Sequence, residues 1–120
     1  MKLQIIRIAD RGVPNNERLH LTVLADATLS YYVVLKSTIM GNEGVMNSSL
    51  LSFWFPTVQV KAGDQVILYT KTGKNSSEKT TSGNTNHFFY WGLNNTLWNS
   101  PTDCAVLIEV NSWVSSSAGA

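Results

Sequence analysis

The chain has 120 residues, with nine basic and eight acidic side chains and a formal net charge of +1. Apolar residues make up 43% of it and charged residues only 14%, which excludes a highly charged disordered chain. A domain of this length buries enough surface to form a stable hydrophobic core without disulfides or bound metal ions. We therefore expect one folded domain over residues 1–114 and a flexible tail over residues 115–120.

The N-terminal residues carry no targeting or membrane signal. Gln4 and Arg7 interrupt the apolar run that a secretory leader requires. No stretch reaches the roughly 18 apolar residues of a membrane span. Cys104 is the only cysteine, so an intrachain disulfide is impossible, which suits a reducing compartment. These features favour an intracellular or virion location and predict no membrane span.

The first half of the chain predicts four strands. Its apolar residues recur with period two, as in a strand with one buried face; Leu19, Leu21 and Val23, for example, alternate with polar residues. The predicted strands cover residues 3–8, 18–23, 30–37 and 50–55. Pro56 ends the last of them because it cannot donate to a sheet.

The second half predicts strands at residues 65–70, 87–91 and 104–110, with a short last strand at 113–114. A tight turn at 62–64 precedes the first of these. Residues 71–86 contain no apolar side chain other than glycine, which predicts an exposed, mobile loop. Seven or so short strands separated by turn residues indicate an all-β fold, an antiparallel β-sandwich.

No motif for catalysis or cofactor binding occurs. His20 and His87 lack a second ligand at zinc-binding spacing, and no EF-hand loop is present. No serine lies in G-x-S-x-G, and no Gly-rich phosphate loop occurs. Cys104 begins an apolar run and is expected to be an inert thiol, although a pairing with His87 and an irregular calcium loop stay open. We expect no enzyme, no metal and no cofactor.

Aromatic and amide side chains are concentrated in residues 88–99. In a strand, Phe89 and Trp91 share one face, whereas Phe88 and Tyr90 share the other. One pair fills the core, and the other requires a loop, a partner or a ligand to cover it. Aromatic platforms beside asparagine side chains suit sugar rings. The candidate binding residues are Phe88, Tyr90, Asn94 and Asn95.

Large apolar side chains are the predicted contacts between the two sheets, which pack about 10 Å apart in a sandwich. Two tryptophans of the second half are wide enough to bridge that distance. The predicted structural core consists of Phe55, Trp91, Trp98 and Leu107.

Two apolar runs lack the charges and prolines that usually protect sheet edges. They cover residues 29–35 and 104–108, and we expect 104–108 to be the more central of the two. An unprotected edge favours pairing with a second copy, usually with two-fold symmetry. The basic residues are scattered among acids, so the charge pattern does not support nucleic-acid binding. We expect a protein partner or self-association, including a homo-oligomer.

Several short motifs follow one another in a fixed order: the strand end Phe53-Trp54-Phe55-Pro56, the turn Lys61-Ala62-Gly63-Asp64, the aromatic strand Phe89-Tyr90-Trp91 and the run Asp103-Cys104-Ala105-Val106-Leu107. In the order of these motifs the chain resembles, from about residue 3 to residue 114, the lamin-tail domain, an immunoglobulin-like β-sandwich family. A polar segment and an Asn-rich turn stand between them, as in the family. Residues 31–35 lack the Gly-Trp element that the family often has.

The resemblance implies a non-catalytic role, because the family has no catalytic residues of its own. Its members occur in nuclear lamins and in bacterial proteins attached to secreted hydrolases and nucleases. Protein, DNA, or wall and membrane components are the partners that it implies. We therefore expect an interaction or assembly module of unknown partner. A carbohydrate- or ligand-binding module is the alternative, and a small enzyme is a third reading.

Overall fold

The computed structural model describes residues 1–46 and 51–119. Two short 3-10 turns lie at Leu29–Tyr31 and Gly41–Glu43. Residue 50, the first of the predicted strand 50–55, lies outside the described residues. The ten strands of the described part are β1 (Leu3–Ala9), β2 (Arg18–Val23), β3 (Ala27–Thr28), β4 (Tyr32–Thr38), β5 (Leu51–Trp54), β6 (Gln59–Val60), β7 (Gln65–Tyr69), β8 (Ser76–Lys79), β9 (Thr85–Tyr90) and β10 (Asp103–Glu109).

The larger sheet has five strands in the order β1-β2-β7-β9-β8. Its neighbours are antiparallel except β7 and β9, which run parallel. The prediction of a wholly antiparallel sandwich is therefore wrong at this pair. The reason is the path of the chain: β8 takes the outer position and turns back into β9, so β9 enters between β8 and β7 in the direction of β7.

The smaller sheet has three antiparallel strands in the order β10-β4-β5, and β3 pairs with β6 in a separate ladder. Strand β4, which contains most of the apolar run 29–35, is central, and β10, which contains the run 104–108, lies at an edge. The expectation that 104–108 is the more central of the two runs is therefore wrong. Both runs are uncharged and rich in β-branched residues, so their composition does not show which one has neighbours on both sides.

The core lies between the two sheets, so the fold is an all-β sandwich. Phe53, from the smaller sheet, contacts Phe55 edge to face at 5.1 Å between ring centroids. Phe55 in turn contacts Phe89 of the larger sheet at 5.2 Å. Fully or nearly fully buried apolar residues from both sheets surround these rings: Leu19, Leu21, Tyr32, Val34, Val66 and Leu68.

The four predicted core residues are all part of this core or pack against it. Phe55 and Trp98 are buried. Trp91 and Leu107 are half-buried and pack against the buried cluster. Trp98 contacts Trp91 at 6.2 Å between ring centroids, and its indole Nε1–H donates to the carbonyl oxygen of Cys104 at 3.0 Å.

The predicted mobile loop at residues 71–86 contains strand β8 and the first residues of β9, so that prediction is wrong as to structure. All four residues of β8 are exposed, and β8 pairs with β9 through backbone hydrogen bonds. An edge strand of polar residues buries no side chain, so the hydrophobic pattern contains no sign of it.

The predicted last strand at residues 113–114 does not form. Trp113 instead packs its side chain against the smaller sheet. In the part of the chain that the structure describes, no helix is long and apolar enough to cross a membrane.

Candidate functional site

The structure separates the four predicted binding residues into two groups. Phe88 and Tyr90 lie on the outer face of β9, because the alternate residues His87 and Phe89 are buried. The two asparagines at positions 94 and 95 lie in the loop after β9 and are exposed. Of the four residues, only the two asparagines line the cleft described below.

The phenol ring of Tyr90 is covered by the chain itself. It stacks on Tyr69 with 5.4 Å between ring centroids and an angle of 11° between planes. The backbone of Gly73 lies against the Tyr90 ring. The chain itself therefore covers the ring of Tyr90, one of the two outward aromatic residues that the strand alternation predicted.

Two cations flank Tyr69. The Lys71 ammonium lies 5.0 Å from the ring centroid and the Arg18 guanidinium 5.9 Å. Arg18 also forms an ion pair with Asp10 at 2.8 Å. Its Nε–H donates to His20 at 3.1 Å, and burial, followed by the charges of the two nearest arginines, lowers the pKa of His20. His20 is therefore a neutral acceptor in this arrangement.

A cleft of about 380 Å³ lies beside this pair of tyrosines, between the loop before β2, the end of β7 and the loop after β9. We call it the amide cleft because four asparagines line it. Its lining residues are Pro14, Asn15, Thr70, Lys71, Leu93, Asn94, Asn95, Thr96 and Asn99. The sequence pointed to Asn94 and Asn95. Asn15 was missed because it lies about 80 residues away along the chain, and Asn99, although it belongs to the same segment 88–99, was not singled out.

One buried carboxylate holds the walls of the amide cleft together. Glu17 is fully buried, and its oxygens accept hydrogen bonds from Gly12 N at 2.8 Å, Leu97 N at 2.7 Å and Trp98 N at 3.1 Å. Its backbone oxygen also accepts from Thr70 N at 3.2 Å. The three segments that form the cleft therefore meet at a single residue, two of them at its side chain and the third at its backbone oxygen.

The outward side of the smaller sheet is apolar. Because Val34 and Leu107 are packed in or against the core, their neighbours along β4 and β10 point outward. In register, Ile108 lies beside Val33 and Val33 beside Trp54, with Val106 beside Leu35 in the next row. We call this set the outer apolar face: Val33, Leu35, Trp54, Val106 and Ile108.

Three exposed aromatic side chains extend the outer apolar face. The ring of Trp113 meets Trp54 at 5.1 Å and Tyr31 at 5.4 Å between centroids, both edge to face. The three residues are between 44% and 51% exposed. Contiguous exposed aromatic groups of this kind are typical of surfaces that bind another molecule.

The titratable residues of interest for catalysis have structural partners. Burial, with the neighbouring Asp103 carboxylate, raises the pKa of Cys104, so its thiol is not activated as a nucleophile. His87 Nε2 lies 3.0 Å from Asp64 Oδ2, on the sheet that does not contain Cys104. Within residues 1–46 and 51–119, no group of three or more His, Cys, Asp or Glu side chains could hold a metal ion.

Asp64 connects the turn before β7 to strand β9. It accepts hydrogen bonds from Lys61 N and Thr85 N, each at 3.0 Å, in addition to its contact with His87. Burial by itself would raise the pKa of Asp64, but the hydrogen bonds from Lys61, His87 and Thr85 outweigh it and lower that pKa to about 2. Asp64 therefore stabilises the fold in its ionised form, as a carboxylate that accepts three hydrogen bonds.

No known protein-family model matches this chain, and no curated protein matches it. The resemblance to the lamin-tail domain therefore stays a prediction from the order of its motifs.

Proposed function

We propose that this chain is a non-catalytic assembly module of the immunoglobulin-like, lamin-tail type, and that it self-associates through the open edge of β10. The observation that carries the proposal is the uncharged run 104–108 at the edge of a sheet whose outer face is apolar. The all-β sandwich and the ordered turn motifs support the lamin-tail type.

Backbone hydrogen bonds define which residues of β10 face the open side. Val110 N donates to Tyr31 O, and Ile39 N donates to Thr102 O. Even-numbered residues of this segment therefore direct their backbone groups toward β4. The N–H and C=O groups of Ala105 and Leu107 consequently face the open side, where no other described strand pairs with β10.

The two edge strands of the larger sheet are better protected than β10, and β5, the other edge of the smaller sheet, is also uncharged but has four residues against the seven of β10. Strand β1 contains Arg7 and an irregularity in its pairing between Ile5 and Arg7, and β8 contains Glu78 and Lys79. Charges and irregularities of this kind block pairing with another chain. Strand β10 has charged residues only at its two ends, which favours it as the edge that pairs.

A second copy fits this edge for a geometric reason. Two β10 strands related by a two-fold axis run antiparallel and continue the two three-stranded sheets as one sheet of six strands. The outer apolar faces of the two copies then lie side by side. An isologous contact thus satisfies the backbone groups of Ala105 and Leu107 in both copies.

Sedimentation velocity of the whole chain at micromolar concentration tests the proposal. We expect a species of twice the 13.2 kDa monomer mass that dissociates on dilution. Ile108→Lys should abolish it, because the side chain is 36% exposed and a lysine on an edge strand blocks pairing with another chain. Leu24→Lys is the matched control, since Leu24 is 55% exposed and lies outside the smaller sheet.

A single species of monomer mass that stays unchanged on concentrating would contradict self-association, whatever the variants do. A dimer that forms equally in Ile108→Lys would contradict the β10 edge as its contact. Far-UV circular dichroism and the melting temperature of both variants establish that each remains folded.

A further inference from the structure

We propose that the amide cleft binds a carbohydrate. This site is separate from the β10 edge and does not depend on self-association, because its walls come from the loops around β2, β7 and β9. It also differs from the aromatic site that the sequence suggested, since Phe88 and Tyr90 do not line it.

The lining of the cleft matches the chemistry of sugar hydroxyl groups. A primary amide offers both a donor and an acceptor, as a hydroxyl group does. Among the described residues, the side chains of Asn15, Asn94 and Asn95 make no hydrogen bond with other protein groups, so their amides are available to a ligand. Thr96 adds a hydroxyl oxygen that donates to Asn99 Oδ1 and still has room to accept a hydrogen bond, and Leu93 adds an apolar surface for the carbon face of a ring.

The charge of the cleft narrows the class of ligand. Among the residues that the structure describes, no carboxylate lines it and Lys71 is the one charged residue of its lining. The Lys71 ammonium is held 5.0 Å from the Tyr69 ring centroid. A cationic ligand would therefore find no partner, whereas a neutral or an acidic sugar does. A single lysine binds a phosphate group only weakly, because phosphate sites usually contain several cations or a bidentate arginine.

The walls of the cleft are held in place before any ligand arrives. Glu17 ties the loop before β2 to the loop after β9 through hydrogen bonds from backbone N–H groups. Leu93 N donates to Thr70 O at 2.8 Å, and Asn99 Nδ2 donates to Thr96 O at 3.0 Å. A preorganised site loses less conformational entropy on binding, which offsets the small number of contacts a sugar can make.

A printed array of neutral, N-acetylated and acidic glycans, probed with the whole chain, tests the proposal. We expect binding to at least one glycan class. The double variant Asn94→Ala/Asn95→Ala should weaken it by roughly tenfold or more, because each lost hydrogen bond contributes about 1 kcal/mol. Asn42→Ala is the matched control, since Asn42 is also exposed and lies in the Gly41–Glu43 turn, outside the cleft.

Two further measurements make the result specific. In a ¹H–¹⁵N spectrum, the side-chain amide signals of Asn15, Asn94 and Asn95 should shift when the bound glycan is added, while that of Asn42 should not. Lys71→Gln should weaken binding of an acidic glycan more strongly than binding of a neutral one. No binding to any glycan on the array, or binding that the double variant does not alter, would overturn the proposal.

Discussion

Gly73 lies directly against the phenol ring of Tyr90: a Cβ atom at residue 73 would stand 2.4 Å from the ring Cδ1. The absence of a side chain at this position lets the segment between β7 and β8 close over the outer face of β9. Tyr69 stacks beside Tyr90 under the same segment. The glycine therefore completes the cover over aromatic side chains that would otherwise face solvent.

Gly73→Ala should destabilise the protein through this contact alone. The backbone of Gly73 is not in the left-handed region, so the added methyl group acts by steric overlap and not by backbone strain. Overlap in a packed site typically costs about 1–3 kcal/mol. The free energy of unfolding from urea denaturation measures the effect.

Gly119→Ala is the matched control, because its Cβ would meet nothing closer than Ser117 Oγ at 3.7 Å and its stability should not change. The double variant Gly73→Ala/Tyr90→Ala should be less destabilised than the sum of the two single variants, since the clash needs both groups. Additive costs would mean that Gly73 acts through something other than the Tyr90 ring.

Truncation of the two adjacent tryptophans should have unequal effects. Trp98 is fully buried and its indole N–H donates to Cys104 O, so Trp98→Ala should cost about 3–5 kcal/mol. Because a small domain has only about 5–15 kcal/mol in total, a large part of the population would then unfold at 37 °C. Trp91 is half-buried, so Trp91→Ala should cost clearly less.

Thermal unfolding followed by circular dichroism ranks the two tryptophan variants. Trp98→Phe separates the packing contribution from the hydrogen bond, because phenylalanine keeps a ring without the N–H donor. A melting temperature of Trp98→Ala close to that of the unchanged protein would contradict the burial of this residue.

The sequence predicted the longer strands that bury side chains, and missed both the two-residue strands β3 and β6 and the wholly exposed strand β8. Strands β2 and β7 alternate apolar with polar residues or carry a continuous apolar run, and both lie within one residue of their predicted bounds. Strand β8 is held by backbone hydrogen bonds to β9, and its sequence Ser-Ser-Glu-Lys shows no such pattern. The order of the strands in the two sheets could not be predicted either, because composition does not distinguish a central strand from an edge strand.

The candidate site could be predicted only in part, because its residues come together through one charged side chain. Asn94 and Asn95 stood out as exposed amides in an aromatic segment. Nothing in the sequence indicated that Glu17 is buried, since glutamate is rarely found inside a protein without a partner. Its partners are backbone N–H groups, which every residue possesses, and so no spacing rule identifies them.

Removal of the Glu17 carboxylate should loosen the amide cleft. Glu17→Gln keeps one acceptor oxygen but places an amide N–H₂ group against at least one of the three backbone donors. A buried donor without a partner costs about 1–3 kcal/mol, so the variant should lose roughly that much stability. Glu17→Ala removes all three acceptor contacts and should lose more.

Hydrogen exchange locates the effect of the Glu17 variants. The amides of Gly12, Leu97 and Trp98 should exchange faster in Glu17→Gln, because these groups donate to the carboxylate. Glu78→Gln is the control, since Glu78 lies on exposed strand β8, and its exchange pattern should be unchanged. If the amides of Gly12, Leu97 and Trp98 exchange at the same rates in Glu17→Gln as in the unchanged protein, the carboxylate does not hold these loops.

Acid should weaken the fold through Asp64. Hydrogen bonds lower the pKa of this carboxyl group in the folded protein to about 2, below its ordinary value of about 3.9 in an unfolded chain. A group whose pKa is depressed by folding stabilises the native state above the unfolded value. That contribution is lost as protonation sets in, so stability should fall as the pH decreases from about 4 to about 2.

Asp64→Asn isolates this contribution. The amide keeps one acceptor oxygen, whereas the carboxylate accepts from Lys61 N, Thr85 N and His87. One or more buried donors therefore lose their partner, at a cost of about 1–3 kcal/mol at neutral pH.

Because the asparagine does not titrate, the decline in unfolding free energy between pH 4 and pH 2 should be shallower in the variant. Urea denaturation at a series of pH values compares the two proteins. Parallel pH profiles for Asp64→Asn and the unchanged protein would assign the acid sensitivity to other carboxylates.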